Sequence, residues 1–367
     1  MKLLIITQKI NQADDVLGFF HGWIEEFAHQ VESVIALGLE NGEFNLPKNV
    51  KVLSLGKPAQ GWPALGGEEL LGKLRALVRF YWFIWRERKN YDAVFVHMNQ
   101  QYIILGWPVW RLLGKKITLW YAHGKVSRSL RLAARLVNLA FTSTRSGFRL
   151  KSSKLRVVGQ GIDLKRFNLT NLDDKMNDDT TRLISIGRIS PVKDYDTLLA
   201  AAKILAKENI KFALTIIGSP GLDRDRIYLE KLKLISQEEI LAGRISFVGA
   251  IANSRIRSYL DAAQIFVNMS YTGSLDKAIL EAMACGLPVL TCNEALNEVI
   301  GVSHPELLYE KGNSTQLATK IKWLIELGQN GRAKLGKELN EIVATNHSLP
   351  RLIGEITSLV GTKLKVS

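Results

Sequence analysis

The sequence predicts an α/β protein of two domains facing each other across a cleft, and three observations carry that prediction. Its 367 residues exceed one ordinary domain and suit two. In both halves short β-branched runs alternate with longer amphipathic stretches, the pattern of parallel strands joined by crossover helices. Between the halves, the segment 168–181 is polar and acidic with nothing to bury, and the βα rhythm restarts after it.

The first half opens on an aliphatic run, Lys2–Thr7, which reads as a first strand. It has no cleavage-site pattern and meets Gln8 and Lys9 at once, so it does not read as a signal peptide. Further strands are expected at Val31–Leu37, Val50–Leu55, Ala93–His97 and Ile117–Ala122, with Leu139–Ser143 and Arg156–Val158 as the last two of that sheet. Helices are expected between them, at Leu17–Gln30 and Leu70–Lys89. The second half predicts strands at Arg182–Ile186, Phe212–Ile217, Ile245–Val248, Ile265–Val267 and Pro288–Thr291, with helices at Tyr195–Glu208 and Arg224–Gln237. A terminal amphipathic stretch follows Pro350, carrying Leu352, Ile353, Ile356 and Leu359.

Hydrophobic residues make up 47% and charged residues 23%, enough apolar content for real cores and too much for a disordered tail. No stretch offers the ~20 uninterrupted apolar residues of a bilayer span; the longest candidate, around Ala76–Trp85, is short and carries Arg79. Two cysteines, Cys285 and Cys292, cannot build a disulfide framework, and no Cys/His cluster has metal-ligand spacing. A reduced, cytoplasmic protein without metal or cofactor is therefore expected.

The net charge of +14 is unevenly spread: residues 1–165 hold 24 Lys and Arg against 12 Asp and Glu, a net of +12. That asymmetry points to an anionic partner for the first half, against general solubility as the plainer explanation. Two stretches concentrate it. Arg128, Arg131 and Arg135 recur at helical spacing on one face. The segment Leu70–Lys89 interleaves Lys73, Arg75, Arg79, Arg86 and Arg88 with Phe80, Tyr81, Trp82, Phe83 and Trp85. Basic and aromatic residues on one helix fit docking on an anionic membrane surface, here the inner face of the cytoplasmic membrane; a sheet-packing helix with core aromatics fits equally. No motif supports nucleic-acid binding.

Neither G-x-G-x-x-G after the first strand nor G-x-x-x-x-G-K-[ST] occurs, which speaks against simple dehydrogenase and P-loop readings. The informative stretch is 268–290, which reads as strand, loop, short helix, stop and strand. Ala278–Cys285 is rich in helix formers, Gly286 suits a left-handed C′ position, and Pro288 prevents continuation. Free amides at Asp276, Lys277 and Ala278, with the helix dipole behind them, make an anion site suited to phosphate. Glu281, one turn further in, is placed to accept two hydroxyl hydrogens, as from a ribose; a Glu on a solvated turn is the ordinary alternative.

The stretch 268–290 resembles the donor-binding signature of retaining family-4 glycosyltransferases, whose glycosyl transferases group 1 domain lies on the GT-B fold of two Rossmann-like domains. Other pieces occur in the family's order. Gly187-Arg188 with Lys193 resembles its strand–Gly-Arg…Lys loop, and Gly159–Phe167 its interdomain segment, with Gln160 replacing the usual Asn. Ala122-His123-Gly124 resembles the strand-end His-Gly of the acceptor domain, and Gly218 and Gly249 the two further strand-to-Gly turns.

The resemblance implies a metal-independent hexosyltransferase-like enzyme that moves a sugar from a UDP- or GDP-sugar to an acceptor, which is lipid-linked or a growing cell-envelope polysaccharide. Its N-terminal domain would bind acceptor (1–165, with the terminal helix 350–367) and its C-terminal domain the donor (166–349). Arg188 and Lys193 would clamp the diphosphate, although most arginines and lysines are plain surface charge. Glu281 would hold the nucleotide ribose. Gly18, Gly187, Gly218 and the Asp276–Ala278 amides would approach the donor, and His123 would face the anomeric centre. A hinge near 163–181 would close the domains over the donor. The mechanism implied is front-face substitution with retention. Two departures stand out. Gly273 occupies the position of a Glu that holds donor-sugar hydroxyls, and only Gly18 remains where relatives carry Gly-Gly. A nucleotide-sugar epimerase, or a nucleotide-binding GT-B protein that has lost turnover, stay open as alternatives.

Overall fold

The computed structural model describes residues 1–14, 17–58, 61, 68–169, 179–270 and 273–362. The chain divides into two units: Met1–Gly161 together with the segment from Leu349 onward, and Ile162–Ser348. The change of unit falls at Gly161/Ile162 rather than 165/166 because Ile162 and Phe167 are buried in the second unit's core and Ile162 bridges to Ser348. Most of the acidic segment, 170–178, lies outside the described residues, as does much of the expected hinge.

The first unit runs β1 (Lys2–Ile10), α1 (Phe19–Gln30), β2 (Ser33–Asn41), β3 (Val50–Ser54), α2 (Glu68–Arg86), β4 (Ala93–His97), α3 (Gln101–Leu112), β5 (Lys116–Trp120), α4 (Arg128–Leu136), β6 (Leu139–Thr142) and β7 (Leu155–Val157). The second runs β8 (Thr181–Ile186), α5 (Tyr195–Lys207), β9 (Phe212–Ile217), α6 (Asp223–Ile235), α7 (Gln237–Leu241), β10 (Ile245–Gly249), α8 (Ile256–Ala262), β11 (Ile265–Asn268), α9 (Lys277–Ala284), β12 (Val289–Thr291), α10 (Glu294–Ile300), α11 (Ser314–Glu326) and α12 (Gly328–Asn346). Helix α13 (Leu349–Gly361) belongs to the first unit.

Among the described residues the first sheet has seven parallel strands in the order β3-β2-β1-β4-β5-β6-β7. Its inner strands are buried on both faces, which is why they read as continuous aliphatic runs. Leu3 and Ile5 of β1 pack with Phe20, Trp23 and Phe27 of α1 and with Leu352, Ile353 and Ile356 of α13. Leu4 and Ile6 turn the other way, to Phe80 and Ile84 of α2, Trp110 of α3 and Leu130 of α4. The strand β1 runs past its apolar stretch to Ile10 because Lys9 is held by Glu40, its cross-strand partner on β2, and by Asp14.

Helix α2 has two apolar faces. Gly72, Ala76, Phe80 and Ile84, four residues apart, are buried against the sheet. Leu71, Leu74, Val78, Trp82 and Trp85 form a second stripe that is exposed, with both tryptophans about half accessible at 50% and 49%. The expectation of core aromatics is thus met by Phe80 and not by Trp82 or Trp85.

Among the described residues the second sheet has five parallel strands in the order β10-β9-β8-β11-β12. Chain order reverses between β8 and β11, so the strands' C-terminal ends there form a topological switch point, where open α/β sheets take their ligands.

Candidate functional site

In the second unit, eight of the residues singled out from the sequence lie on segments that follow the C-terminal ends of β8, β9 and β11: Gly187, Arg188, Lys193, Gly218, Asp276, Lys277, Ala278 and Glu281. Gly187 ends β8 and Gly218 ends β9. The two turns touch so closely that a Cβ on Gly218 would stand 2.0 Å from the Gly187 carbonyl oxygen, and Gly218 itself has φ +145°. Only glycine satisfies both the contact and the dihedral. Gly218→Ala is expected to destabilise the second unit by about 2–4 kcal/mol, read as a lowered urea midpoint; an unchanged midpoint would show that the Gly187 turn yields freely.

Beyond Gly187, Arg188 is exposed and has no ion pair among the described residues. Its aliphatic stem lies over Gly221, where a Cβ would meet its Cδ at 2.4 Å. A 3-10 turn, Pro191–Lys193, then leads into α5, whose Tyr195 hydroxyl donates to the Gly187 carbonyl at 2.8 Å and pins the loop from beneath. Lys193 is mostly buried and forms an ion pair with Asp276. This pair joins the segment after β8 to the segment after β11, directly across the switch point.

Asp276 precedes α9 in extended conformation and does not cap it with its side chain. Its carboxylate goes instead to Lys193 and to the Asn268 amide, which donates at 3.2 Å. Asn268 is the centre of a buried polar net. Its Oδ1 accepts from the Ser270 amide and the Thr291 hydroxyl, both at 3.1 Å, and its carbonyl accepts from the Tyr309 hydroxyl at 2.9 Å. Asn293 donates to the Ser274 carbonyl at 2.9 Å. Buried amides satisfied this fully fix the loop from below and leave the α9 amino terminus uncapped by a side chain. Asn268, Tyr309 and Asn293 were not singled out from the sequence, because nothing about isolated polar residues announces a net closed only by the fold.

Helix α9 is buried from Ile279 to Ala284 and ends as expected, with Gly286 donating to Met283 and Leu287 to Ala282. Glu281 is 5% exposed. The Lys277 ammonium forms an ion pair with its Oε1 at 3.0 Å. Arg166 stands close enough for the Glu281 charge to oppose the lowering of its pKa by burial, and its Nη2 is buried without an acceptor. A buried guanidinium nitrogen without a protein acceptor is met by water or by a polar group of a ligand. Arg166 lies in the Gly159–Phe167 segment noted in the sequence, where it received no role.

Gly273, buried with φ +66°, shows what stands behind the departure at that position. A glutamate there would be strained in the left-handed region. The neighbouring carboxylate of Asp276 is occupied by Lys193 and Asn268, so it does not simply replace the missing one. Tyr271 and Thr272 of the same loop lie outside the described residues.

The first unit holds the other two candidates. Gly18 precedes α1, and a Cβ there would stand 2.4 Å from the Asp14 carbonyl, so the turn itself requires glycine. His123 follows β5 and is exposed; its amide donates to the Gly147 carbonyl at 2.8 Å and its Nδ1 accepts from the Lys125 amide at 3.0 Å. Accepting at Nδ1 puts the proton of the neutral ring on Nε2. Desolvation, then the charges of Lys125 and Arg149, holds its pKa below the usual range. His123 is therefore a neutral ring at pH 7 that donates from Nε2.

Residues 172–341 match the family model described as glycosyl transferases group 1. The chain carries a glycosyl transferases group 1 domain. Among curated relatives, the chain is 30% identical over 212 residues to an alpha-monoglucosyldiacylglycerol synthase of Streptococcus pneumoniae, covering 55% of this chain and 46% of that one. It is 29% identical over 210 residues to the amylovoran biosynthesis glycosyltransferase AmsK of Erwinia amylovora, covering 53% and 49%. The chain thus spans about half the length of the curated relatives it matches. Solved structures share its fold over nearly the whole length. The crystal structure of Anabaena HepE in complex with UDP and glucose superposes with a TM-score of 0.75 at 17% identity, covering 99% of this chain and 100% of that one. Sucrose-phosphate synthase from Thermosynechococcus elongatus gives 0.76 at 16%, covering 97% of each. The two parallel sheets of this chain are those of the GT-B fold.

Proposed function

We propose that this protein is a retaining glycosyltransferase that transfers a sugar from a UDP- or GDP-sugar to an acceptor that is lipid-linked or part of a growing surface glycan. The observation that carries the reading is the switch point of the second sheet, where Arg188 follows β8, Lys193 reaches across to Asp276 before α9, and the buried carboxylate of Glu281 lies one turn into that helix. Two cations and the uncapped start of α9 suit a diphosphate, and a buried carboxylate acceptor suits the hydroxyls of a ribose. The Anabaena structure with UDP and glucose supports the donor class.

In the reaction, the bond from the anomeric carbon to the diphosphate oxygen breaks while the acceptor oxygen bonds to that carbon from the same face. The acceptor's proton passes to the leaving phosphate oxygen. Arg188 and Lys193 offset the charge that develops on the departing diphosphate, and fixed cations there act mainly on the transition state. His123, neutral and donating from Nε2, hydrogen-bonds a donor-sugar hydroxyl. Gly187 and Gly218 admit the donor close to the strand ends, Gly18 offers backbone to donor or acceptor, and Lys277 and Ala278 contribute the α9 amides.

The test is incubation with a panel of UDP- and GDP-sugars, following nucleotide release with and without lipid acceptors. Acceptor-dependent release with retained configuration supports the reading. Donor epimerised without release would replace it with an isomerase, and nucleotide binding without turnover on any donor would replace it with a binding protein. Glu281→Ala is expected to weaken nucleotide binding on the order of 10- to 100-fold, the loss of charge-assisted hydrogen bonds. Unchanged affinity by calorimetry would remove the ribose assignment.

The exposed stripe of α2 supports work at an anionic membrane, on the inner face of the cytoplasmic membrane. Leu71, Leu74, Val78, Trp82 and Trp85 line it, and the Arg86 and Arg88 guanidinium groups lie 4.6 Å and 4.7 Å over the Trp82 and Trp85 rings. Tryptophan with arginine at its face suits the headgroup region. Among the described residues no helix is long and apolar enough to cross a membrane. Flotation with phosphatidylglycerol vesicles is expected to carry the protein, and Trp82→Ser/Trp85→Ser to leave most of it behind. Equal recovery of the two proteins would remove α2 from the contact.

A further inference from the structure

A second cationic site lies in the first unit, away from the residues assigned to glycosyl transfer. A cavity of about 380 Å³ opens at the edge of the sheet where β5 and β6 begin, the opposite edge from the strand end that leads to His123. Its lining includes Arg111, Lys115, Lys116, Arg135 and Lys154, and no acidic side chain. The sequence around it shows the same bias: residues 93–162 contain twelve Lys and Arg and no Asp or Glu.

Part of this charge has a structural purpose. Arg111 and Arg135 sit in the last turns of α3 and α4, and Lys116 donates to the Leu359 and Thr362 carbonyls at the end of α13. Each of three helix C-termini supplies about −0.5 of a charge, which leaves roughly +3.5 uncompensated around one small cavity. The lysines are bound through backbone rather than carboxylates: Lys115 donates to the Tyr91 carbonyl and Lys154 to the Arg135 carbonyl. Burial lowers the pKa of both Lys115 and Lys116, with the more distant Asp92 acting against it at Lys115. Neither guanidinium, of Arg111 or of Arg135, has a carboxylate partner among the described residues. Asn138 adds an amide: its Oδ1 accepts from the Ile117 amide, which leaves Nδ2 as a donor.

We propose that this cavity is a binding site for a phosphate-bearing anion, held by the Arg111 and Arg135 guanidinium groups with Lys115, Lys116 and Lys154 around them. Five cations gathered around one cavity, the three lysines part-buried and the two arginines exposed, repel one another, and a bound phosphoryl group with its several acceptor oxygens removes that repulsion while filling the open donors. Two arginines from different helices also give the planar, forked donors that phosphate geometry favours. The phosphoryl group belongs either to a soluble phosphate or to a phospholipid headgroup, and both present the same oxygens.

The test uses the full chain at about 0.15 M salt, so that diffuse surface charge is screened. Arg111→Gln/Arg135→Gln is compared with Arg128→Gln/Arg131→Gln, which removes the same charge from exposed positions of α4 outside the cavity. Inorganic phosphate is titrated by calorimetry, and binding to vesicles with and without phosphatidylglycerol is measured in parallel. The expected result is a loss of about tenfold or more in one arm for the cavity variant only, with melting temperature and glycosyl turnover unchanged. Loss in the phosphate arm identifies a soluble phosphate, and loss confined to the vesicle arm identifies a headgroup. Equal weakening by both variants would reduce the effect to surface charge and overturn the site, as would wild-type protein binding neither probe. The phosphate arm does not depend on α2 or on the donor reading, so failure of either leaves it standing.

Discussion

Arg188→Ala is expected to lower kcat/KM for the nucleotide sugar by on the order of 10²–10³ while leaving the melting temperature in place. The guanidinium is exposed, carries no ion pair among the described residues and rests its stem over Gly221, so its removal leaves no buried partner stranded. Its loss should therefore fall on the transition state, where diphosphate charge builds. Lys193→Ala should be at least as damaging for a different reason: it also frees the Asp276 carboxylate, a negative charge beside the departing anion. The pair makes the argument separable. Lys193→Ala/Asp276→Asn should recover part of the rate lost in Lys193→Ala, since the repelling charge has gone. Nucleotide release measured under single-turnover conditions reads both effects. Full activity in Arg188→Ala would show that the diphosphate sits elsewhere.

Acid should unfold the first unit, and His97 should be a main cause. The ring closes β4, is 3% exposed and stacks on Phe20 at a centroid distance of 3.9 Å, with the Thr7 hydroxyl 3.4 Å from its Nδ1. Burial pushes its pKa down to about 3, against 6.5 for an ordinary histidine. The unfolded chain binds the proton below pH 6.5 and the folded one does not, so stability is complete above that pH and drains away as pH falls towards 3. A shift of this size corresponds to roughly 4–5 kcal/mol. Between pH 7.5 and pH 4 the urea midpoint of the first unit should fall steeply, and His97→Phe should flatten that slope. Carboxylates titrate in both proteins, so the difference between the two slopes is the readout. Parallel slopes would show that His97 is not buried neutral.

Much of this was legible because it rests on local pattern. Parallel strands buried on both faces must be aliphatic runs, and those runs marked all twelve described strands closely, with β1 and β2 extending further than their apolar cores. The extra length of β1 was hidden by Gln8 and Lys9, since a lysine inside a strand is credible only once Glu40 is known to lie beside it. Arg188, Lys193 and Glu281 were proposed from the sequence because their spacing along turns and a short helix survives in one dimension. Asn268, Tyr309 and Arg166 were not, because their importance comes from contacts more than 30 residues away or from burial alone. Helix α2 falls between the two. Its inner face at 72, 76, 80 and 84 and its outer face at 71, 74, 78, 82 and 85 are both apolar at helical spacing, and no period can say which of two such faces meets the sheet.

The return of α13 to the first unit bears on how the molecule comes off the ribosome. Leu349, Leu352, Ile353, Ile356 and Val360 complete a core begun by β1 and α1 some three hundred residues earlier. The second unit, Ile162–Ser348, is contiguous and is translated in full before that helix emerges. Synthesis order and maturation order are then inverted: the portion made first must wait, with an apolar face of its sheet bare, while the later portion closes. Chaperone dependence during translation should accordingly fall on the amino-terminal unit.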